Sequence, residues 1–179
     1  LVNWCFPNID GCSSISRAGR YYPVKFFFKP LMFVYAIFLS IFWKKMYDLL
    51  RNENIPISKL YLLTALCSVL FLALYIIFLG EGNYYRFFRQ IGIFIFIFFT
   101  VLSQILYSIK LKKLSCFNYK LKNKQSFYAI CIGVIGLFLL PFVIFEIVEI
   151  KNFKNIVSWN YFFLIQIYFL IIFFGLRKN

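Results

Sequence analysis

The chain contains no histidine and only six acidic residues among its 179 residues. Without histidine, Ser-His-Asp and Cys-His catalysis and almost all catalytic zinc or haem sites are excluded. The sequence also has no phosphate-binding glycine loop, dinucleotide-binding glycine pattern or Gly-x-Ser-x-Gly motif. Its five cysteines include no Cys-x-x-Cys pair, which makes a metal cluster improbable. We therefore predict no catalytic residue, no metal and no cofactor.

Apolar residues are present in large excess. The chain is 63% hydrophobic and 23% aromatic, with a mean hydropathy of +0.80. A water-soluble domain has about 45–50% apolar residues, and one small core cannot bury the surplus. Since no repeat, linker or second domain is visible, the composition predicts a polytopic membrane protein with a single transmembrane domain over residues 1–179.

Five apolar runs lie between the charged residues. Each has 18 to 20 residues, and the last four contain no charge. About 20 apolar residues in a helix span a hydrocarbon core of about 30 Å, whereas membrane strands are about 10 residues long and alternate apolar with polar. The fold class predicted is an all-α bundle of five transmembrane helices. The runs are 26–43, 60–79, 91–109, 127–145 and 159–176.

The placement of the basic residues that give the net charge of +14 is related to the apolar runs. In a soluble protein it would suggest a nucleic-acid partner, which we do not expect here because the basic residues lie between the runs. The loops after the first and third runs and the segment after the fifth hold 12 basic residues, against 8 on the opposite side. The positive-inside rule therefore places the C-terminus in the cytoplasm and the loop 1–25 outside. Because the chain starts in this outer loop, we expect a preceding helix and a six-helix parent.

The polar stretch 12–23 reads CSSISRAGRYYP and lies directly before the first run. Guanidinium and hydroxyl groups suit phosphate geometrically, so this stretch could bind a lipid headgroup together with two arginines of the next outer loop. An ordinary juxtamembrane loop is the alternative, and physical reasoning alone slightly favours it. The six candidate headgroup ligands are Ser14, Ser16, Arg17, Arg20, Arg86 and Arg89.

Further features carry two interpretations each. Cys5 and Cys12 share the predicted outer loop, where a disulfide is permitted, so paired and free thiols stay open. Cys116, in the basic loop 110–124, is a weak palmitoylation candidate.

Glu146 and Glu149 are three residues apart, which puts them on one helix face. They either bind a cationic headgroup, perform acid/base work or, as we favour, form a solvated helix end balanced by Lys151 and Lys154. Pro141 should kink the fourth helix, and Gly133 and Gly136 give that helix a small-residue face for packing.

Three short motifs resemble one family of six-helix membrane proteins, the Frag/DRAM/Sfk family. It includes the damage-regulated autophagy modulators and the Golgi protein of GPI-anchor lipid remodelling. Their first external loop carries a Ser-Ile-Ser-x-x-Gly element ending in Pro, matched here by residues 14–16, Gly19 and Pro23. The stretch RFFRQIG, which ends at Gly92, resembles the motif opening the fourth helix, and Trp159 resembles the start of the last helix.

The chain also departs from the family pattern. A histidine usual in the second motif is missing, and Ser158 replaces the acidic residue common before the last-helix Trp. The resemblance covers nearly the whole chain as helices two to six. It implies a eukaryotic endomembrane or plasma-membrane location.

The leading functional expectation is a non-enzymatic protein that handles, senses or scaffolds membrane lipids, anionic lipids among them. The resemblance implies an alternative, an enzyme or essential subunit of GPI-anchor lipid remodelling. A small transporter is a further alternative, although four uncharged runs offer little for an ion path. The sequence does not address protein partners or homo-oligomers.

Overall fold

The computed structural model describes residues 5–20, 22–80, 82–114, 119–145 and 153–176, without the side chains of residues 83, 119–122 and 140–145. The predictions made for Cys116, Glu146 and Glu149 fall outside these residues. Pro141 lies within a helix, but its predicted kink stays a prediction.

All regular structure in the described ranges is helical. Two short helices, α1 (Pro7–Asp10) and α2 (Ile15–Ala18), come first. Five long helices follow, and short connections join those whose loops are described. They are α3 (Val24–Asn52), α4 (Lys59–Ile77), α5 (Asn83–Leu111), α6 (Tyr119–Phe145) and α7 (Phe153–Leu176).

Four of these helices are long and apolar enough to cross a membrane: α3, α4, α7 and, from Tyr84 to Leu111, α5. This confirms the all-helical membrane class and fits an integral multi-pass protein. The fourth predicted run lies on α6, whose described apolar stretch, Asn123–Leu139, is shorter. The helices also extend beyond the apolar runs, because a helix continues into the interface where charged side chains reach water.

Contacts between distant residues establish the direction of each helix. Tyr128 donates to the Leu164 carbonyl and Tyr161 to the Ile132 carbonyl, at 3.1 and 3.0 Å, so α6 and α7 are antiparallel. The hydrogen bond between Tyr35 and Gln166 and the ring contact between Phe42 and Phe169 show that α3 is parallel to α7. Helices α3, α5 and α7 therefore begin at one end of the bundle. We call it the cap end, because residues 5–20, the cap segment, pack there.

Gly92 of α5 lies at a close approach between two helices. A Cβ atom placed on Gly92 would lie 3.1 Å from the Tyr75 backbone nitrogen and 3.2 Å from the Phe71 carbonyl oxygen, both on α4. Association of helices in lipid depends on close packing, since lipid tails are as apolar as leucine. Gly92 thus lets the backbones of α4 and α5 meet.

Glycines on α6 lie against two different helices. A Cβ on Gly133 would meet the Ile105 side chain of α5, and one on Gly136 would overlap the Tyr161 hydroxyl of α7. The small-residue face predicted for this helix therefore serves two neighbours.

An aromatic cluster joins α3, α5 and α7 toward the end opposite the cap. Trp43 is 1% exposed, and its ring centroid lies 5.0 Å from that of Tyr107 and 5.9 Å from that of Phe169. Phe42 meets Phe169 edge to face at 5.1 Å. Such offset contacts add about 0.5–1.5 kcal/mol per pair beyond the area they bury.

Candidate functional site

The cap segment has a defined local structure. The Phe6 amide donates to the Asp10 carboxylate at 2.8 Å, and α1 ends at Gly11, whose φ of 62° favours glycine. A disulfide joins Cys5 and Cys12, whose Cα atoms lie 6.5 Å apart. The stretch expected to be a loop thus contains two helical turns, and a disulfide closes the first of them.

The two candidate serines take part in this local structure. Ser14 is the N-cap of α2, and its hydroxyl accepts the Arg17 amide at 3.2 Å. The hydroxyls of Ser14 and Ser16 lie 3.3 Å apart. Their observed partners lie within the cap segment, and their predicted role as headgroup ligands stays a prediction.

Helix α7 holds the cap segment through three side chains. Trp159 donates its indole N–H to the Ser13 carbonyl at 2.8 Å. Asn155 and Asn160 donate to the carbonyls of Gly11 and Asn8, at 2.8 and 2.7 Å. Trp159, which was predicted as a motif residue, therefore lies where the first residues of the chain meet the last helix.

Gly19 and Pro23 shape the approach to α3. A Cβ on Gly19 would lie 2.6 Å from the Phe28 ring, so this glycine allows the end of α2 to pack on the aromatic face of α3. Pro23 is the N-cap of α3. Both motif residues have structural roles in the observed fold.

Three of the four candidate arginines lie at the cap end. Arg89 lies on the second turn of α5 and donates through Nη1 to the Gly80 carbonyl at 2.8 Å. Arg20 and Arg86 both interact electrostatically with its guanidinium. The Arg20 Nε donates to the Ser16 carbonyl at 3.1 Å, so this side chain is fixed to the cap segment. Arg17 is exposed and is not brought into this group.

Burial distinguishes Arg89 from its neighbours. Its exposure is 8%, whereas Arg86 is exposed, and it is the only buried charged side chain in the described ranges. Within that part of the chain no carboxylate pairs with Arg20, Arg86 or Arg89. Buried charges are normally paired, because desolvating an isolated ion is costly. The cap end therefore concentrates positive charge that the described residues do not balance.

Sequence reasoning missed a second polar group, inside the membrane helices. Ser108 and Tyr168 join their hydroxyls at 2.9 Å, and Tyr168 also donates to the Gln104 carbonyl at 3.1 Å. Gln125 and Ser126 of α6 donate to the Ser108 carbonyl at 3.3 and 3.1 Å. The signal was the spacing of Thr100, Gln104 and Ser108, four residues apart on one face of an otherwise apolar helix.

We expect Tyr168→Phe to destabilise the bundle by about 1 kcal/mol, because two interhelical hydrogen bonds of modest strength are lost in lipid. Unfolding of the purified protein in mixed micelles, followed by circular dichroism against denaturing detergent, measures this change. Tyr84→Phe is the matched control, since Tyr84 is 63% exposed and makes ring contacts alone in the described structure. Equal stability of the two variants would contradict a stabilising role for the network.

In the described residues, no three His, Cys, Asp or Glu side chains are grouped so that they could hold a metal ion. Comparison with family models, with curated proteins and with solved structures finds no match for this chain.

Proposed function

We propose that this protein is a non-enzymatic, multi-pass membrane protein that binds the phosphate of a lipid headgroup at its cap end. The observation that supports this most is the burial of Arg89 at the cap end, where Arg20 of the cap segment and Arg86 of α5 also lie. Positive charges that repel each other favour a bound anion nearby.

Phosphate suits this arrangement for chemical reasons. Guanidinium groups donate several hydrogen bonds in a fixed plane, and charge-assisted bonds to phosphate oxygens are about twice as strong as neutral ones. Arg89 uses one donor on Gly80, which holds the guanidinium in place. An anion bound there would supply the countercharge that a buried arginine needs.

A lipid is the source we favour, because the arginines lie where an apolar helix begins. The candidate membrane span of α5 starts at Tyr84, and Arg86 and Arg89 occupy its first two turns. Cations at this level of a membrane helix extend toward the interface, where lipid phosphates are found. In this proposal the cap end faces outward, the C-terminus is cytoplasmic, and α6 crosses the membrane as well. Membership of the Frag/DRAM/Sfk family stays a prediction.

The test compares two lipids that differ by one phosphate. Dioctanoyl phosphatidic acid and dioctanoylglycerol are titrated onto the protein in neutral detergent, and tryptophan fluorescence reports binding. We expect phosphatidic acid alone to bind, and Arg20→Gln with Arg86→Gln to weaken it about 10-fold, because each charged hydrogen bond contributes about 1.5–3 kcal/mol at most and less when exposed.

Lys45→Gln with Arg51→Gln is the matched control, because both residues are exposed at the opposite end of α3. Inorganic phosphate is added as a competitor, so that a site for free phosphate is distinguished from a lipid site. Equal affinity for the two lipids, or equal losses in both double variants, would contradict the proposal. Phosphate release from the bound lipid would instead support an enzyme.

A further inference from the structure

The first helical turn of the cap segment exposes two large apolar side chains. Phe6 is 62% exposed and Ile9 is 67% exposed. Phe6 is the N-cap of α1 and Ile9 is its third residue, and side chains at these two positions of a helix lie on the same side. Helix α1 therefore presents an apolar edge that the described residues leave uncovered.

Helix α1 is held beside α7. Asn160 donates to the Asn8 carbonyl at 2.7 Å, and Asn155 donates to the Gly11 carbonyl at 2.8 Å. The candidate membrane span of α7 begins at Phe153. Asn160 lies about 10 Å farther along the helix axis, at about 1.5 Å per residue. The turn thus lies alongside the first two turns of a helix that can cross the membrane.

The order of these contacts shows which part of the turn lies deepest. The Gly11 carbonyl meets α7 about 7 Å nearer the beginning of that helix than the Asn8 carbonyl does. Phe6 and Ile9 flank Asn8 in the chain, so they belong to the deeper part of the turn. Lys154 is the last charged residue of α7 before the uncharged stretch 155–176. The apolar pair is therefore level with uncharged residues of α7.

Two local features fix the shape of the turn and limit its depth. The disulfide between Cys5 and Cys12 closes the turn on both sides, which reduces the number of conformations open to it. The Asp10 carboxylate accepts the Phe6 amide at 2.8 Å and comes directly after Ile9. A carboxylate is costly in the hydrocarbon core. The turn therefore suits the interface, where a charged group still reaches water.

We propose that α1 inserts Phe6 and Ile9 into the interface of the lipid leaflet at the cap end, and so anchors the cap segment to the membrane. Helices that lie on a membrane bury their apolar face about 5–10 Å into the boundary between headgroups and acyl chains, which agrees with the level of Asn160. Two side chains are too few for a stable protein interface, which buries about 800 Å² on each partner. The inference depends on the position of α1 beside α7 and not on the arginines.

Photocrosslinking from the two positions tests the inference on the whole chain in nanodiscs of phosphatidylcholine. Benzoylphenylalanine replaces Phe6 in one variant and Ile9 in another, and intact-mass spectrometry measures the fraction of protein that carries one added lipid. The reference is the same probe in place of Phe38, which is 65% exposed on the apolar run of α3. We expect yields within about two-fold of this reference, since all three probes would lie in lipid.

Asn52 is the matched control position. It is exposed at the C-terminal end of α3, beyond the apolar run. A probe there should form about five-fold fewer lipid adducts, because a polar segment that follows a membrane run lies in water. If one of the two cap-segment variants does not fold, the other carries the test by itself.

Three results would overturn the inference. Yields close to that of the Asn52 probe would show that the turn faces water. Links to a second copy of the chain, seen as a doubled mass, or links within one chain, seen after digestion, would show that protein covers the pair. Adducts at one folded variant alone would contradict a shared lipid-facing side. None of these results changes the binding of phosphatidic acid, so the proposed function and this inference can fail separately.

Discussion

Replacing Arg89 with methionine is expected to lower the affinity for dioctanoyl phosphatidic acid about 30-fold while the bundle stays folded. Charged hydrogen bonds contribute about 1.5–3 kcal/mol each, and a factor of ten corresponds to about 1.4 kcal/mol. Methionine keeps an unbranched apolar stem that fills the space below the guanidinium. Stability should change little, because the lost bond to Gly80 is offset by relief of repulsion from Arg20 and Arg86.

Lys110→Met is a suitable comparison for this variant. Lys110 also donates to a backbone carbonyl, that of Pro56 at 2.7 Å, and it lies 5.7 Å from the centroid of the Tyr61 ring at the opposite end of the bundle. It should leave phosphatidic acid affinity unchanged. Arg89→Met could instead bind dioctanoyl phosphatidic acid as well as the unsubstituted protein does and unfold at a much lower concentration of denaturing detergent. In that case Arg89 is a structural residue and the headgroup site is wrong.

Gly92→Leu is expected to cause the largest loss of stability, about 3 kcal/mol. The leucine side chain would have to occupy space now filled by the backbone of α4 at Phe71 and Tyr75, and backbone cannot move aside as a side chain can. Overpacking a close interface costs about 1–3 kcal/mol and more when nothing yields. Unfolding in mixed micelles gives the change in free energy, and the yield of monodisperse protein gives an independent measure.

Two alanine variants separate this mechanism from a general effect of glycine replacement. Gly92→Ala should cost less than leucine but more than Gly133→Ala. At Gly133 the nearest atom to a new Cβ is the end of the flexible Ile105 side chain, which can rotate away. Similar losses in the two alanine variants would show that the close approach of α4 and α5 is not the cause.

Local patterns in the sequence located the helices well but were less informative about what individual side chains do. The apolar runs coincide with the long helices of the described ranges, four of which are long and apolar enough to cross a membrane, because hydrocarbon thickness and backbone hydrogen bonding set their length and type. Ser14 and Ser16 are predicted headgroup ligands, and the structure shows that their hydroxyls also have partners within the cap segment. The spacing of a cap residue before a helical turn was visible, but a short polar stretch before a membrane run suggested a loop instead.

The arginines show where sequence reasoning ended. Arg17, Arg20, Arg86 and Arg89 were grouped by predicted side of the membrane alone. The structure brings Arg20 to Arg89 across 69 positions of chain and leaves Arg17 exposed. Which arginines lie near one another depends on how the cap segment and α5 are oriented. No periodicity in either segment specifies this.

Composition and charge placement by themselves determined that this chain is an all-helical membrane protein without histidine chemistry, because those conclusions depend on hydropathy, length and residue type. Only the tertiary structure decided that Trp159 anchors the first turns, that Gly92 brings α4 against α5, and that the hydroxyls of Ser108 and Tyr168 meet between α5 and α7. These features arise from contacts between segments far apart in the chain. In lipid, where hydrophobic burial does not select one helix partner over another, shape and a few polar contacts make that choice.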